Sequence, residues 1–200
     1  MTMTDFPGST GPLGFFRRFF RRRPYRAAAH QLYVAAAEQS RHPALYETYG
    51  IPDTLDGRFD ALVLHVFLIL HRLRRQGDAA LELGHEVVEV LVGDMDRTLR
   101  ETGIADVGVG KRVKTMLKAF YGRIGAYDSG LSDTQGGLED GLLRNIYRGD
   151  APGPEAVAGL ADYVRYQAAV LAEQPLAAFL AGEARFVDYF PTHRKAGEAS

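Results

Sequence analysis

Apolar positions recur along most of the chain at three- and four-residue steps, which predicts α-helices. The first predicted body helix runs from Tyr25 or Arg26 to Arg41, with Ala28, Leu32, Ala35 and Ala36 on its stripe, and stops at His42-Pro43. Tyr46 to Asp53 reads as a connector, because Gly50 and Pro52 break a helix, and Asp53, Thr54 or Asp56 can cap the next one. From Arg58 to Arg75 the pattern is apolar nearly all round, which predicts a central buried helix. A third helix, with Leu81, Val88, Leu91, Met95 and Leu99 as its stripe, runs to about Thr102, where Gly103 ends it. Val113, Met116, Leu117, Phe120, Ile124 and Tyr127 form the next, over 109–127, followed by a loop or cap over 130–137. Shorter helices are predicted over 138–148, 155–171 and 175–180. No segment alternates with the period of two that marks a half-buried strand.

The fold predicted is therefore all-α: a single helical domain of about six to seven helices behind a basic N-terminal arm. Residues 1–24 are read as a mobile leader and arm, 25–190 as the helical domain, and 191–200 as a disordered tail. The Gly149-Asp-Ala-Pro-Gly-Pro154 run is the clearest linker and could set off a C-terminal subdomain at 155–190.

Charge changes this picture. The formal net charge is -1, yet residues 1–26 hold six arginines and one acid, so the near-neutral total joins a basic arm to an acidic body. In the arm, Phe15, Phe16, Phe19 and Phe20 alternate in pairs with Arg17, Arg18, Arg21, Arg22 and Arg23. On a helix the four rings span ~140°, the pattern of a segment that lies on an anionic membrane surface. A second cationic feature is internal: Lys111, Arg112, Lys114, Lys118 and Arg123 occur with no acid between Val109 and Ala126. A solvated helix face ordinarily mixes signs, because like charges at three- and four-residue spacing repel. This row is either a partner-binding surface or is covered by acids of another helix, such as Glu82 or Glu89.

The chain has no cysteine, which excludes disulfides, thiol catalysis and cysteine-held metal centres. Its longest apolar stretch, 61–70 with His65 inside, is well short of the ~20 residues needed to span a bilayer. The remaining candidates for chemistry are incomplete. Glu82-x-x-His85 is half of a di-iron half-site with no second copy, and Glu89 stands where a zinc-protease motif needs histidine. Gly103 to Arg112 lacks the first glycine of a phosphate loop, where Ala105 stands, its Ser/Thr, where Arg112 stands, and the strand that should precede it. His65 is read as a core histidine, with haem ligation as its rival. No catalytic residues, metal site or cofactor are assigned. Arginine outnumbers lysine twenty to four, a composition associated with bacterial origin.

Two stretches carry a resemblance. One is Tyr49-Gly-Ile-Pro-Asp-Thr-Leu-Asp-Gly-Arg-Phe-Asp60, running on through His65 to Leu70. The other is Asp94-Met-Asp-Arg-Thr-Leu-Arg-Glu-Thr-Gly-Ile-Ala-Asp-Val-Gly-Val-Gly-Lys-Arg-Val113, continuing to Ala119-Phe-Tyr-Gly-Arg123. Over about 40–170 the chain resembles the ubiquinol–cytochrome c chaperone family. The resemblance implies an all-helical, non-enzymatic assembly factor that assists newly made cytochrome b in forming the ubiquinol–cytochrome c reductase. The partners expected are cytochrome b or its nascent chain, the ribosome and an anionic membrane surface, with no DNA and no small-molecule substrate. The location expected is cytoplasmic, peripheral to the inner membrane, or the mitochondrial matrix side in a eukaryote. Two other classes stay open. One is a small helical enzyme or lipid- or quinone-handling protein using Asp53, Asp56 and Asp60. The other is a ribosome- or RNA-binding accessory protein with the arm on phosphate.

Overall fold

The computed structural model describes residues 24–101, 106–133 and 137–190. The phenylalanines and arginines at 15–23, and the tail expected to be disordered at 191–200, lie outside the described residues. Among the described residues there are eight helices and no strand: α1 (Arg26–Gln39), α2 (Pro43–Glu47), α3 (Leu55–Leu73), α4 (Asp78–Glu101), α5 (Asp106–Ser132), α6 (Gly137–Asn145), α7 (Pro154–Glu173) and α8 (Leu176–Leu180).

The fold is built around α3. Every residue from Val63 to Leu70 is buried, so this helix has no solvent face over two turns. Burying one such leucine or phenylalanine side chain contributes roughly 1.5–3 kcal/mol, which makes α3 the natural centre of packing. Helices α1, α4, α5 and α7 surround it. Its start is fixed locally: the Thr54 hydroxyl accepts a hydrogen bond from the Gly57 N–H at 3.1 Å, and Asp56 sits in the first turn. Gly57 has no alternative, because a Cβ there would lie 1.9 Å from the Pro52 carbonyl oxygen.

Two boundaries differ from expectation. The connector before Asp53 is preceded by α2, one helix more than the pattern predicts, because Pro43 occupies the first turn and the His42 ring accepts from the Ala44 N–H at 3.2 Å. Helix α5 runs to Ser132, past the break expected after Tyr127. Gly130 is buried there, and a Cβ on it would lie 2.5 Å from the Leu138 Cα, so glycine serves close helix–helix approach and does not end the helix. Beyond the Gly149–Pro154 linker, Leu160, Tyr163, Val164 and Leu171 of α7 belong to the same buried cluster as α3, so the C-terminal helices share the one core.

Candidate partner interface

Helix α5 has two halves. In the first, Lys111, Arg112, Lys114 and Lys118 are all exposed. Lys111, Lys114 and Lys118 follow one another at three- and four-residue steps, on the side opposite the buried Phe120. Among the described residues none of the four makes an ion pair. Four exposed cations within eight positions give this face a locally positive field.

The second half is different. Phe120, Ile124 and Tyr127 are buried, and Arg123 points inward with them. The cation spacing groups Arg123 with the exposed row, but its side chain is only 15% exposed and its Nη2 lies 2.8 Å from Oδ1 of Asp60, itself 1% exposed. Arg123 therefore belongs to a buried ion pair and is removed from the surface set. Arg148 reaches the other Asp60 oxygen at 3.3 Å and Asp56 at the same distance. Burial pushes the Asp60 carboxyl above the usual aspartate range, and the two arginines pull it back without fully offsetting that effect. Arg148 does this from a left-handed backbone (φ 56°) just past the end of α6, beside Gly149 at φ 87°.

The acids proposed for metal or substrate handling are each engaged by arginine, with Asp56 and Asp60 sharing Arg148. Asp53 pairs with Arg58 at 2.6 Å on the surface, Asp56 is exposed, and Asp60 is buried. No group of three or more metal-ligating side chains occurs among the described residues.

His65 lies fully buried in α3. Its Nδ1 is 2.7 Å from the Ala61 carbonyl, which can only accept, so Nδ1 carries the proton. Nε2 then accepts from the Tyr163 hydroxyl at 2.8 Å, and that hydroxyl accepts from the Gln39 amide at 3.2 Å. Both ring nitrogens are engaged inside the core, and burial pushes the imidazole pKa down to about 4. This is the arrangement of a structural histidine.

Sequence reasoning did not find Arg148, whose role depends on a turn that brings it back to α3. It also did not find the segment 183–190, which lies along α7 through the side chains of Gln167 and Gln174. The seven-residue spacing of these two glutamines on a helix was the available signal.

No helix among the described residues is long and apolar enough to cross a membrane. Residues 47–186 match the family model described as ubiquinol-cytochrome C chaperone. The chain is 28% identical over 160 residues to ubiquinol-cytochrome-c reductase complex assembly factor 1 of Xenopus laevis, covering 80% of this chain and 78% of that one. The human protein of that name is 26% identical over 160 residues, and the match covers 80% of this chain but 52% of the human one. Among solved structures, the Cbp3 homolog from Brucella abortus superposes with a TM-score of 0.74 at 34% identity, covering 88% of this chain and 96% of that chain. The match spans α3 to α8, and so includes both the buried Asp60 network and the cationic row. On these grounds the chain belongs to the ubiquinol-cytochrome c chaperone family.

Proposed function

We propose that this protein is a non-enzymatic assembly factor for the ubiquinol–cytochrome c reductase and that it binds newly made cytochrome b. Family membership over residues 47–186 is the observation that carries the reading. The cationic row at Lys111, Arg112, Lys114 and Lys118 supports it as the surface for a partner, because exposed like charges held together without acids are costly unless a partner offsets them. Deleting the gene should lower assembled reductase and its b-type haem while other respiratory complexes stay near normal. Unchanged reductase in a deletion strain with no second copy of the gene would refute the reading.

In this reading the work is done at the cytoplasmic face of the inner membrane, or the matrix face in a eukaryote. Phe15, Phe16, Phe19 and Phe20 enter the headgroup region, while Arg17, Arg18, Arg21, Arg22 and Arg23 meet anionic lipid. A peptide covering residues 12–26 should gain helix on anionic vesicles by circular dichroism. Equal vesicle binding after all four phenylalanines become alanine would reduce the arm to simple charge attraction.

A further inference from the structure

Past α8 the chain turns back through Gly182 (φ 89°) and runs along α7 in the opposite direction, with no regular secondary structure over 183–190. Two glutamine side chains hold its backbone. The Gln174 amide donates to the Arg185 carbonyl at 2.7 Å and accepts from the Arg185 N–H at 3.0 Å. One step on, the Gln167 amide donates to the Val187 carbonyl at 2.6 Å and accepts from the Val187 N–H at 3.1 Å. Each glutamine thus takes both backbone groups of one residue, and the two residues are two apart. In an extended chain the N–H and C=O of residues i and i+2 lie on the same edge. The two side chains therefore imitate one edge of a neighbouring strand.

The receptor is held from behind. Arg72 of α3 donates to the Leu171 carbonyl at 2.9 Å and to the Gln174 carbonyl at 2.7 Å, which fixes the end of α7. Gln167 is fully buried, so its amide needs polar partners in place and cannot simply be left bare. Between and beyond the clamps the inner face takes two rings. Phe186 meets His65 edge-on at 5.4 Å between centroids. Phe190 stacks on Tyr163 at 5.2 Å and on His42 at 4.0 Å. The outer side is partly open: Val187 is 37% exposed, and Tyr189, 47% exposed, lies against Tyr166 of α7 at 4.4 Å between centroids.

We propose that this face of α7 is a binding groove for a polypeptide segment that is extended where the glutamines clamp it, turns just beyond, and carries aromatic residues four apart, and that residues 183–190 occupy it in cis as a displaceable plug. The occupant is defined by the plug itself. The clamps read backbone and ignore side chains, and the ring-lined positions of Phe186 and Phe190, with Tyr166 beside Tyr189, select aromatic groups. The inference rests on the assembly-factor reading, in which the protein must hold an unfinished chain of apolar and aromatic character; such a segment of the client is the occupant that would displace the plug. Intramolecular attachment gives the plug an effective concentration on the order of mM, so a trans segment competes only when it is present at high local concentration, as a tethered or nascent client is.

The test uses the full chain and a labelled peptide of its own residues 183–190, Glu-Ala-Arg-Phe-Val-Asp-Tyr-Phe. No reductase assembly enters the measurement, so its failure is distinct from failure of the assembly-factor reading. Wild type should bind the peptide weakly. Phe186→Ala with Phe190→Ala in the protein loosens the plug and leaves the groove intact, and should tighten peptide binding at least tenfold by fluorescence anisotropy. Adding Gln167→Ala and Gln174→Ala should abolish that gain, as should a peptide lacking both phenylalanines. A helical double variant that binds no tighter than wild type overturns the proposal, and so does equal binding of the ring-less peptide. Wild type carries an independent readout. Excess peptide should speed amide exchange at Arg185 and Val187, and unchanged exchange at saturating peptide overturns displacement. A concentration-dependent dimer of the double variant, with no peptide binding, would assign the groove to a second copy and equally overturn the client reading.

Discussion

Arg112 and Arg123 sit on one helix, eleven residues apart, which is three turns and about 20° of rotation. They carry the same charge on almost the same side of α5, yet Arg112 is exposed and Arg123 is paired with a buried aspartate at 2.8 Å. The difference is made by what lies beneath. Near Arg123 the central helix α3 presents Asp60; Arg112 lies about 16 Å further along the helix axis and has no acid paired with it among the described residues. Helix periodicity assigns a residue to a side, and only packing decides what that side meets. One half of α5 is fastened to the core by rings and an ion pair, while the other half projects cations.

The comparison is broken most severely by removing Arg123. Arg123→Ala leaves Asp60 buried with only Arg148, at 3.3 Å, and should destabilise the fold by about 3 kcal/mol in urea titration, because an uncompensated buried charge is costly. Arg112→Ala should cost less than about 0.5 kcal/mol. Equal losses for the two would erase the distinction. Replacing the pair together, Asp60→Leu with Arg123→Met, should recover most of the loss, since hydrophobic residues can substitute for a buried ion pair at little net cost.

The same contrast separates the two regions by pH. His65 is buried neutral with its pKa lowered to about 4 from 6.5. Between those values the unfolded chain binds a proton that the folded chain does not. His65 therefore contributes stability above pH 6.5 that is lost as pH falls through about 4, on the order of 3 kcal/mol in total. Asp60 acts oppositely: its raised pKa contributes stability at low pH that is lost as pH rises through its folded value. Urea unfolding across pH 7 to 4 should therefore show a decline that His65→Asn flattens. An unchanged slope in that variant would show that His65 does not carry it. Substituting Lys111, Lys114 and Lys118 should leave the slope as it is, since the partners of His65 are Ala61 and Tyr163 and not these exposed side chains.

How far the sequence carried these conclusions follows the same division. The apolar run of α3 and the regular stripe of α5 were legible, because burial and helical period write themselves into adjacent residues. The exposed row was legible as an uninterrupted run of cations. The fate of Arg123 was not, since Asp60 lies sixty-three positions before it in the chain. Nor was Arg148, which needs the turn after α6 to reach back to α3. The plug escaped notice because its recognition is by glutamine side chains onto backbone eleven and twenty residues away, and backbone leaves no pattern in the sequence. His65 sits between these cases. Its burial was readable from the apolar residues around it, but its partner Tyr163 lies ninety-eight positions away.

The smallest expected effect on stability coincides with the largest expected on function. Lys111→Glu, Lys114→Glu and Lys118→Glu together should change unfolding free energy by less than about 0.5 kcal/mol per site, since all three are exposed. The measurement is the level of assembled ubiquinol–cytochrome c reductase in a strain whose only copy carries the triple substitution. With the variant protein present at normal abundance, reductase should fall to the level of the gene deletion. Normal reductase in that strain would contradict the assignment of the cationic row as the surface through which this protein works.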